Sequence, residues 1–348
     1  MESPVEVGQI VGGKYRVERV LAQGGVGVVV KATHVHLHEP CAIKFMLPDA
    51  LETPMARERF LREARACARL KSDYVVKVFD VGEVDGGMPY MVQEFLEGID
   101  LEERMERGVL PVGEAALYIL QICAALAEAH ALGIVHRDIK PGNVFLVRRS
   151  DGTTRVKLLD FGISKVLGEP ANVDQAQTME GTVMGTPVFM APEQARGEAV
   201  DTRTDVWAVG VLLYHLLTGI FPFEGTAPFK TLDKILRSDP TPPSQHASGV
   251  PPEIDRIVLH CLEKDPDRRP AGVHELAAAL EPFAEEGGAP ISLHVRRVRE
   301  SLVDARASLP SLPPEARLPG VIVMPAPLKP AVQPALIADT LRPPASPA

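Results

Sequence analysis

Cysteine is scarce in this sequence, and its spacing excludes several classes of protein. The chain of 348 residues contains four cysteines, which are Cys41, Cys67, Cys123 and Cys261. They are widely scattered, and no two of them form a Cys-x-x-Cys pair. A disulfide framework or a zinc site is therefore not expected, and a reducing compartment such as the cytoplasm is the expected location.

Positive charge and long apolar runs are lacking as well. Lysine and arginine number 37 against 46 aspartates and glutamates, which gives a net charge of −9. Because phosphate contacts need clustered lysine and arginine, no nucleic-acid partner is expected. No stretch reaches the roughly 18 to 20 apolar residues that cross a bilayer, and residues 1–8 lack the apolar run of a signal peptide. We therefore expect no transmembrane segment in this chain.

Among the motifs that the sequence does contain, two short ones indicate the most specific chemistry. The first contains Asp138, Lys140 and Asn143, and the second, about twenty residues further on, is an Asp-Phe-Gly triplet that begins at Asp160. Phosphoryl transfer needs one carboxylate that faces the attacking hydroxyl. It also needs a second carboxylate and an amide oxygen to hold Mg²⁺ against the phosphates. Asp138, Asp160 and Asn143 are groups of the right type in the right order.

Four further motifs, described below, follow one another in the order found in a known family. Together the motifs resemble the eukaryotic-type protein kinases, in particular serine/threonine kinases of the bacterial kind. The resemblance extends over about residues 13–285. It implies an α+β fold with two lobes, a small one made of mainly antiparallel sheet with one helix, and a larger one that is mainly helical. The implied segments are an N-terminal extension (1–12), the N-lobe (13–97), the C-lobe (98–286), and an amphipathic segment with a proline-rich irregular tail (287–348).

A glycine-rich segment lies between two predicted strands, residues 15–20 and 26–33. Glycine lets a backbone pass close to phosphates, because it has no Cβ that would clash. The segment resembles the kinase loop that covers the phosphates of ATP, although Ala22 replaces the first glycine of the family pattern. The loop residues expected to contact ATP are Ala22, Gln23, Gly24, Gly25, Gly27 and Val29.

Lys44 lies in a segment that resembles the third kinase strand, whose lysine holds the phosphates. Its neighbours Ile43 and Phe45 are apolar, so we expect a buried lysine stem and an amine that requires an anion. A helix predicted to start at Pro54 carries Glu63 at the border of its apolar face. The resemblance implies that Glu63 pairs with Lys44 and positions it.

Residues 74–84 and 88–95 are predicted to be two strands joined by a glycine-rich turn. The end of the second strand resembles the hinge between kinase lobes, where backbone groups pair with adenine. Gln93 falls at the gatekeeper position, which is usually apolar in the family. The adenine-site residues that the resemblance implies are Ala42, Gln93, Glu94 and Leu96.

The resemblance gives the candidate catalytic residues their roles. Asp138 would orient the substrate hydroxyl and accept its proton, and Lys140 would neutralise the transferred phosphate. Asn143 and Asp160 would bind Mg²⁺. The implied function is an ATP-dependent protein kinase in signalling, which phosphorylates serine and threonine residues of protein substrates with ATP and Mg²⁺.

The nature of the acceptor is implied by two later segments. Residues 185–187 and 191–193 resemble the peptide-binding loop and the end of the activation segment. They favour a protein acceptor over the small-molecule acceptor of other kinases with a similar fold. By resemblance to the family, Thr186 and Lys140 imply serine and threonine acceptors rather than tyrosine. The other alternative is a pseudokinase, a binding module that normally lacks the lysine, the base or a magnesium residue; all of these are present here.

Regulation is suggested by Arg137, which precedes Asp138 in an arrangement that in this family goes with phosphorylation of the activation segment. Residues 162–185 are long and polar in the middle, and Thr178 and Thr182 are their candidate acceptors. A phosphothreonine carries about −1.5 to −2 charges and can form charge-assisted bonds with arginine. We therefore predict autophosphorylation at these threonines, for which two copies could associate.

Three residues of the second lobe are expected to serve its architecture. By resemblance, Asp205 hydrogen-bonds the backbone of the catalytic loop, and Arg269 forms an ion pair with Glu193. Trp207 is the only tryptophan of the chain, and a core position is expected for it.

Two further patterns have more than one interpretation. A helical stripe beyond the kinase-like region could dock on a partner, on a membrane surface or on its own lobe, which is the default. The stripe is Ile291, Val295, Val298 and Leu302, beside Arg296, Arg297 and Arg299. Three alternating histidines, His34, His36 and His38, would share one face of a strand. They could form a metal site, but an exposed hairpin end is favoured because no acidic or cysteine ligands accompany them.

Overall fold

The protein has two lobes, one dominated by a six-stranded sheet and the other by helices. The computed structural model describes residues 5–24, 27–47, 54–84, 87–161, 187–285 and 288–307. The first lobe holds an antiparallel sheet with the order β1-β2-β3-β4-β6-β5. Its strands are β1 (Ile10–Val11), β2 (Tyr15–Gln23), β3 (Gly27–His34), β4 (Pro40–Met46), β5 (Val78–Glu83) and β6 (Pro89–Glu94).

Alternation of side chains gives this sheet two different faces. On β3, Val28, Val30 and Ala32 are fully buried in a core on one face, while the intervening residues are partly exposed. On the other face, helix α1 (Pro54–Cys67) packs through Phe60 and Ala64 against the sheet. The period of two explains why the residues of β3 that point to one face are fully buried, whereas those that point to the face of α1 stay partly exposed.

The second lobe contains a three-stranded sheet and most of the helices. Its strands are β7 (Gly98–Asp100), β8 (Val144–Arg148) and β9 (Thr154–Leu158). Its helices are α2 (Leu101–Met105), α3 (Val112–Ala131), α4 (Pro192–Ala195), α5 (Thr202–Thr218), α6 (Pro228–Arg237), α7 (Pro252–Cys261), α8 (Val273–Leu280) and α9 (Gly288–Ala307). Trp207 of α5 is fully buried, as predicted.

Helix α3 is the buried support of the lobe. It is built from alanine, leucine and isoleucine, which are good helix formers or core residues, and it stops before Gly133, which has φ 74°. Among the described helices, α3 is the one long and apolar enough to cross a bilayer, but 72% of the relevant window is buried in the fold. Such burial is what a core helix requires, so its composition is weak evidence for a membrane span.

The predicted strand 74–84 is only partly a strand of the first sheet. β5 begins at Val78, whereas Val75 forms a parallel bridge with Leu158 of β9. The amide of Val76 donates to the carbonyl of Leu158, and the amide of Leu158 donates to the carbonyl of Tyr74. The prediction of one continuous strand was therefore wrong, because this segment takes its hydrogen-bond partners from the other lobe.

Helix α9 packs on its own lobe, which was the default among three possibilities. Val295 is fully buried, and Ile291 and Val298 pack against the core of the second lobe. The arginines of the stripe are exposed, and the side chain of Leu302 lies outside the described part of the chain. The predicted segment boundary between residues 286 and 287 stays a prediction.

The histidine tract does not follow a strand. β3 ends at His34, whose Nδ1 accepts the amides of His36 and Leu37 at 3.3 and 3.2 Å. His38 has φ 57° and lies in the turn that follows. The expected single face for three histidines was therefore wrong. Within the described ranges, no three or more His, Cys, Asp or Glu side chains are grouped for metal binding.

Candidate active site

Asp205 of α5 anchors the backbone of the loop that carries Asp138. The two carboxylate oxygens of Asp205 accept the amides of His136 and Arg137, each at 2.8 Å, and Nε2 of His130 lies 2.7 Å from Oδ2. Burial would raise the pKa of Asp205, but the hydrogen bonds from His130 and the loop amides outweigh it and the pKa is lowered. This confirms the predicted bond to the loop backbone. It also holds Arg137 at φ 65°, an uncommon conformation for a non-glycine residue.

Three predicted catalytic side chains lie together within this loop. Oδ2 of Asp138 accepts from Nζ of Lys140 at 2.9 Å and from Nδ2 of Asn143 at 3.0 Å. Nδ2 of Asn143 also donates to the carbonyl of Asp138 at 2.7 Å. The short turn Pro141–Asn143 brings Asn143 back toward Asp138. One oxygen of the carboxylate is thus fixed by two donors, which sets the orientation of the whole group.

His136 links this loop to the segment of Asp160, a role that the sequence reasoning missed. Burial lowers the pKa of His136, which favours the neutral form of the imidazole. Its Nε2 lies 2.9 Å from the carbonyl of Leu159, and its Nδ1 is 3.3 Å from the amide of Asp138. The amide of Leu159 also donates to the carbonyl of Asn143 at 2.9 Å. The two predicted motifs are therefore locked together next to Asp160.

Lys44 and Asp160 meet across the two lobes. Nζ of Lys44 lies 2.7 Å from Oδ1 of Asp160, which confirms that the lysine amine has an anionic partner. The predicted partner was Glu63. Its backbone lies in α1, but its side chain is outside what the structure describes, so a Lys44–Glu63 pair stays a prediction. Asp160 has φ 44°, a conformation that aspartate adopts more readily than most residues.

One face of the first sheet carries five of the predicted nucleotide-contacting residues. Residues directly opposite each other in antiparallel strands share a face. Ala22 lies opposite Val29 and Val29 opposite Lys44, so these three share one face. Ala42 lies opposite Gln93 on the neighbouring pair of strands. The even separation of Ala42 and Lys44 along β4 puts both pairs on the same face.

The other predicted nucleotide-site residues of the first lobe that the structure describes lie at the ends of these strands or next to them. The amide of Gly24 donates to the carbonyl of Gly27 at 3.0 Å, and Gly25 lies outside the described residues. A Cβ on Gly27 would lie 2.5 Å from the carbonyl oxygen of Phe45, so the neighbouring backbone by itself requires glycine there. Gln23 ends β2, Glu94 ends β6 and Leu96 follows in the hinge.

The side-chain oxygen atoms of Asp160 and Asn143 are suited to a Mg²⁺ ion that nucleotide phosphates also bind. A carboxylate and an amide oxygen are the hard donors that Mg²⁺ takes, and Mg²⁺ is commonly held by one or two protein groups plus substrate phosphates. Because Nδ2 of Asn143 is turned toward Asp138, its Oδ1 faces the opposite way. Asp160 and Asn143 are therefore suited to this cation.

Several residues named in the sequence analysis lie outside the described part of the chain. They are Gly162, Thr178, Thr182, Gly185 and Thr186.

Arg269 and Glu193 form the predicted ion pair of the second lobe. The pair is bidentate, with nitrogen–oxygen distances of 2.8 and 2.7 Å, and both side chains are buried. Thr204 donates to Glu193 as well, at 2.8 Å. Burial would raise the pKa of Glu193, but the bonds from Arg269 outweigh it and the pKa is lowered. The pair fixes the helix that follows the undescribed residues 162–186 to the end of the lobe.

Replacing Arg269 with methionine is expected to lower the free energy of unfolding by about 3–5 kcal/mol, because a buried carboxylate then loses its partner. Denaturant unfolding of Arg269→Met measures this change. Arg268→Met is the matched control, since Arg268 is the exposed neighbour of Arg269. Equal unfolding midpoints for the two variants would show that the pair contributes little.

The two lobes, the lysine that reaches across them and the loop of Asp138 define the fold and the site of the protein kinase class. The protein kinase domain family matches residues 15–280 of the chain. The chain therefore belongs to the protein kinase family, whose members use ATP and Mg²⁺. The predicted two-lobed α+β kinase fold is confirmed.

Relatives and solved structures agree with this family. The chain is 36% identical over 283 residues to serine/threonine-protein kinase pkn3 of Myxococcus xanthus, covering 80% of this chain and 52% of that protein. It is 37% identical over 309 residues to serine/threonine-protein kinase PknB of Mycolicibacterium smegmatis, covering 87% and 47%. The crystal structure of the PknI kinase domain of Mycobacterium tuberculosis superposes with a TM-score of 0.63 at 28% identity, over 80% of this chain and 100% of that one. The chain spans about half the length of the curated relatives it matches.

Proposed function

We propose that this protein is an ATP-dependent protein kinase that phosphorylates serine and threonine residues of proteins. The observation that carries the proposal is the joined arrangement of Asp138, Lys140 and Asn143 with Asp160, to which Lys44 reaches from the other lobe. Each of these groups is needed to position and neutralise a transferring phosphoryl group. The serine/threonine specificity in the names of the relatives supports this acceptor class.

Each side chain has a distinct task in the proposed reaction. Asp138, held at one oxygen by Lys140 and Asn143, orients the acceptor hydroxyl and takes its proton. Lys140 stands beside this carboxylate and neutralises charge on the group in transfer. Lys44, on β4 of the first lobe, binds the phosphates of ATP. Mg²⁺, when bound at Asn143 and Asp160, neutralises the phosphate oxygens.

The alternative from another class is a pseudokinase, which binds nucleotide without transferring phosphate. Its usual defect is the loss of the lysine, the base or a magnesium residue, and Lys44, Asp138, Asn143 and Asp160 all stand in this chain. A small-molecule kinase is the second alternative. The similarity of residues 185–187 and 191–193 to a peptide-binding segment supports a protein acceptor instead.

Mass spectrometry of the intact proteins and of their peptides, after incubation of the purified protein with Mg-ATP and a generic protein substrate, tests the proposal. We expect added phosphate on the substrate, with serine and threonine as the modified residues. Nucleotide binding without any phosphate transfer would support the pseudokinase. Transfer to a small alcohol and not to protein would support the small-molecule kinase.

The buried thiols of all four cysteines fit the reducing cytoplasm in which we place the enzyme.

We further predict that the enzyme phosphorylates itself at Thr178, Thr182 or both, and that this raises its activity. New charge-assisted bonds between a phosphothreonine and Arg137 would order the segment next to Asp138. The double variant Thr178→Ala/Thr182→Ala should show a lower rate, and wild type that starts dephosphorylated should show a lag. A double variant as active as wild type, with no lag in wild type, would remove the switch and leave the kinase assignment intact.

A further inference from the structure

Gln93 is a buried amide on the face of the first sheet that carries Ala42 and Lys44. It is the last residue but one of β6, and only 9% of it is exposed. It lies directly opposite Ala42 of β4, and Glu94 after it ends the strand at the start of the hinge. Because a polar side chain at this depth is costly without hydrogen bonds, each end of the amide requires a partner.

One end of the Gln93 amide has a partner and the other has none. Nε2 donates to Sδ of Met91 at 3.8 Å. A thioether sulfur accepts hydrogen bonds but cannot donate them, so the contact turns the NH₂ group toward Met91 and the carbonyl away from it. In the described part of the chain, Oε1 of Gln93 accepts from no donor. It is also absent from the fully buried unpaired atoms of those residues, so it borders the open space on this face of the sheet.

This oxygen lies at the end of the site where a nucleotide base belongs. Lys44 meets Asp160, and these two side chains mark the phosphate end. Ala42 lies two residues before Lys44 on β4, about 7 Å nearer the hinge. With its phosphates at Lys44, a nucleotide that extends toward the hinge brings its base beside Ala42 and Gln93.

The two common purine bases differ at the group that a lone acceptor recognises. Adenine carries an exocyclic amine with two hydrogens, whereas guanine carries a carbonyl oxygen at the same ring position. The amine can therefore donate to the hinge and to a side-chain oxygen at once. A guanine in the same orientation would place its carbonyl oxygen against Oε1 of Gln93, with no hydrogen between the two acceptors.

We propose that Oε1 of Gln93 accepts a hydrogen from the exocyclic amine of adenine and thereby selects ATP over nucleotides whose bases lack that amine. This inference rests on the proposed function, because it assumes a nucleotide bound between Lys44 and the loop of Asp138. A site built to hydrogen-bond one group of a ligand rejects an analogue without it, since a buried polar atom is then left unpaired. Gln93 thus acts mainly by penalising the wrong base.

Displacement of a ribose-labelled fluorescent ADP from the full chain tests the inference. The competing ligands, all with Mg²⁺, are ATP, GTP and purine riboside triphosphate, which is ATP without the amine. The variants Gln93→Met and Gln93→Leu put apolar residues of similar size in place of the amide. Removal of the amine should weaken binding to wild type by a factor about tenfold larger than in either variant, which corresponds to about 1.4 kcal/mol for one hydrogen bond. GTP should gain on ATP in both variants.

Gln245→Met is the matched control, because Gln245 lies exposed in a turn of the second lobe. It should keep the wild-type preference for the amine, and thermal unfolding of all variants reports whether the fold is retained. The same loss on removal of the amine in wild type and in a folded Gln93 variant would overturn the inference and leave the proposed function standing. Preference for the amine without any phosphate transfer would overturn the proposed function alone. A wild-type protein that binds no nucleotide would overturn both.

Discussion

Asp138→Asn is expected to lower the rate of phosphate transfer by about two to four orders of magnitude, the usual worth of a positioned proton acceptor. In the structure, Oδ2 of Asp138 accepts from both Lys140 and Asn143. The new amide must keep its oxygen toward these two donors, because its NH₂ group would oppose them. Its nitrogen then takes the place of the second carboxylate oxygen, and it has no lone pair with which to accept a proton.

The fold and nucleotide binding of this variant should remain at wild-type level. A radiolabel transfer assay gives the rate, and calorimetry with ADP and Mg²⁺ gives the affinity. Asp151→Asn is the control with the same chemical change, since Asp151 lies exposed in the turn between β8 and β9. Wild-type transfer by Asp138→Asn would show that another group accepts the proton.

Asp160→Asn is expected to reduce activity by about a hundredfold or more, because charge stabilisation by a bound metal is worth several kcal/mol and each 1.4 kcal/mol is a factor of about ten. A neutral amide is a poorer ligand than a carboxylate for a hard cation. Asparagine also tolerates the positive φ of 44° at this position, so the backbone should be retained. Raising the Mg²⁺ concentration should recover little of the activity.

A Mg²⁺ titration of the ATPase rate, for the variant and for wild type, measures this effect. Asp160→Ala serves as the comparison, because alanine loses the oxygen ligands and also fits the left-handed backbone less well. It should therefore add a loss of thermal stability to the loss of activity. An unchanged Mg²⁺ dependence in Asp160→Asn would show that the cation is held elsewhere.

Elements with local causes could be predicted closely from the sequence. The apolar run of good helix formers before Gly133 is α3, Val112–Ala131, and the stop of the helix follows from the left-handed conformation that glycine allows. The strand predicted over residues 88–95 is β6, Pro89–Glu94. In both cases, composition and the flanking breakers are properties of neighbouring residues. No information from a distant part of the chain is needed.

Predictions that depended on a distant partner were less complete. Residues 74–76 have the composition of a strand of the first sheet, but their hydrogen bonds go to Leu158 of the second lobe. Glycine at position 27 was expected because the backbone would pass close to the phosphates of ATP. The structure adds a second reason, since a Cβ at this position would clash with the carbonyl oxygen of Phe45. No prediction was made for Lys157 of β9, whose partner Glu94 lies 63 residues away.

The sequence by itself determined which chemical groups are present and in what order: the lysine of the first lobe, the Asp-Lys-Asn loop and the aspartate after β9. It did so because those residue types at those spacings have few other uses together. Only the tertiary structure decided which groups touch, as with Lys44 and Asp160, which are 116 residues apart. The physical reason is that a pattern of side chains records burial and local backbone. The identity of a partner depends on how the two sheets are packed together.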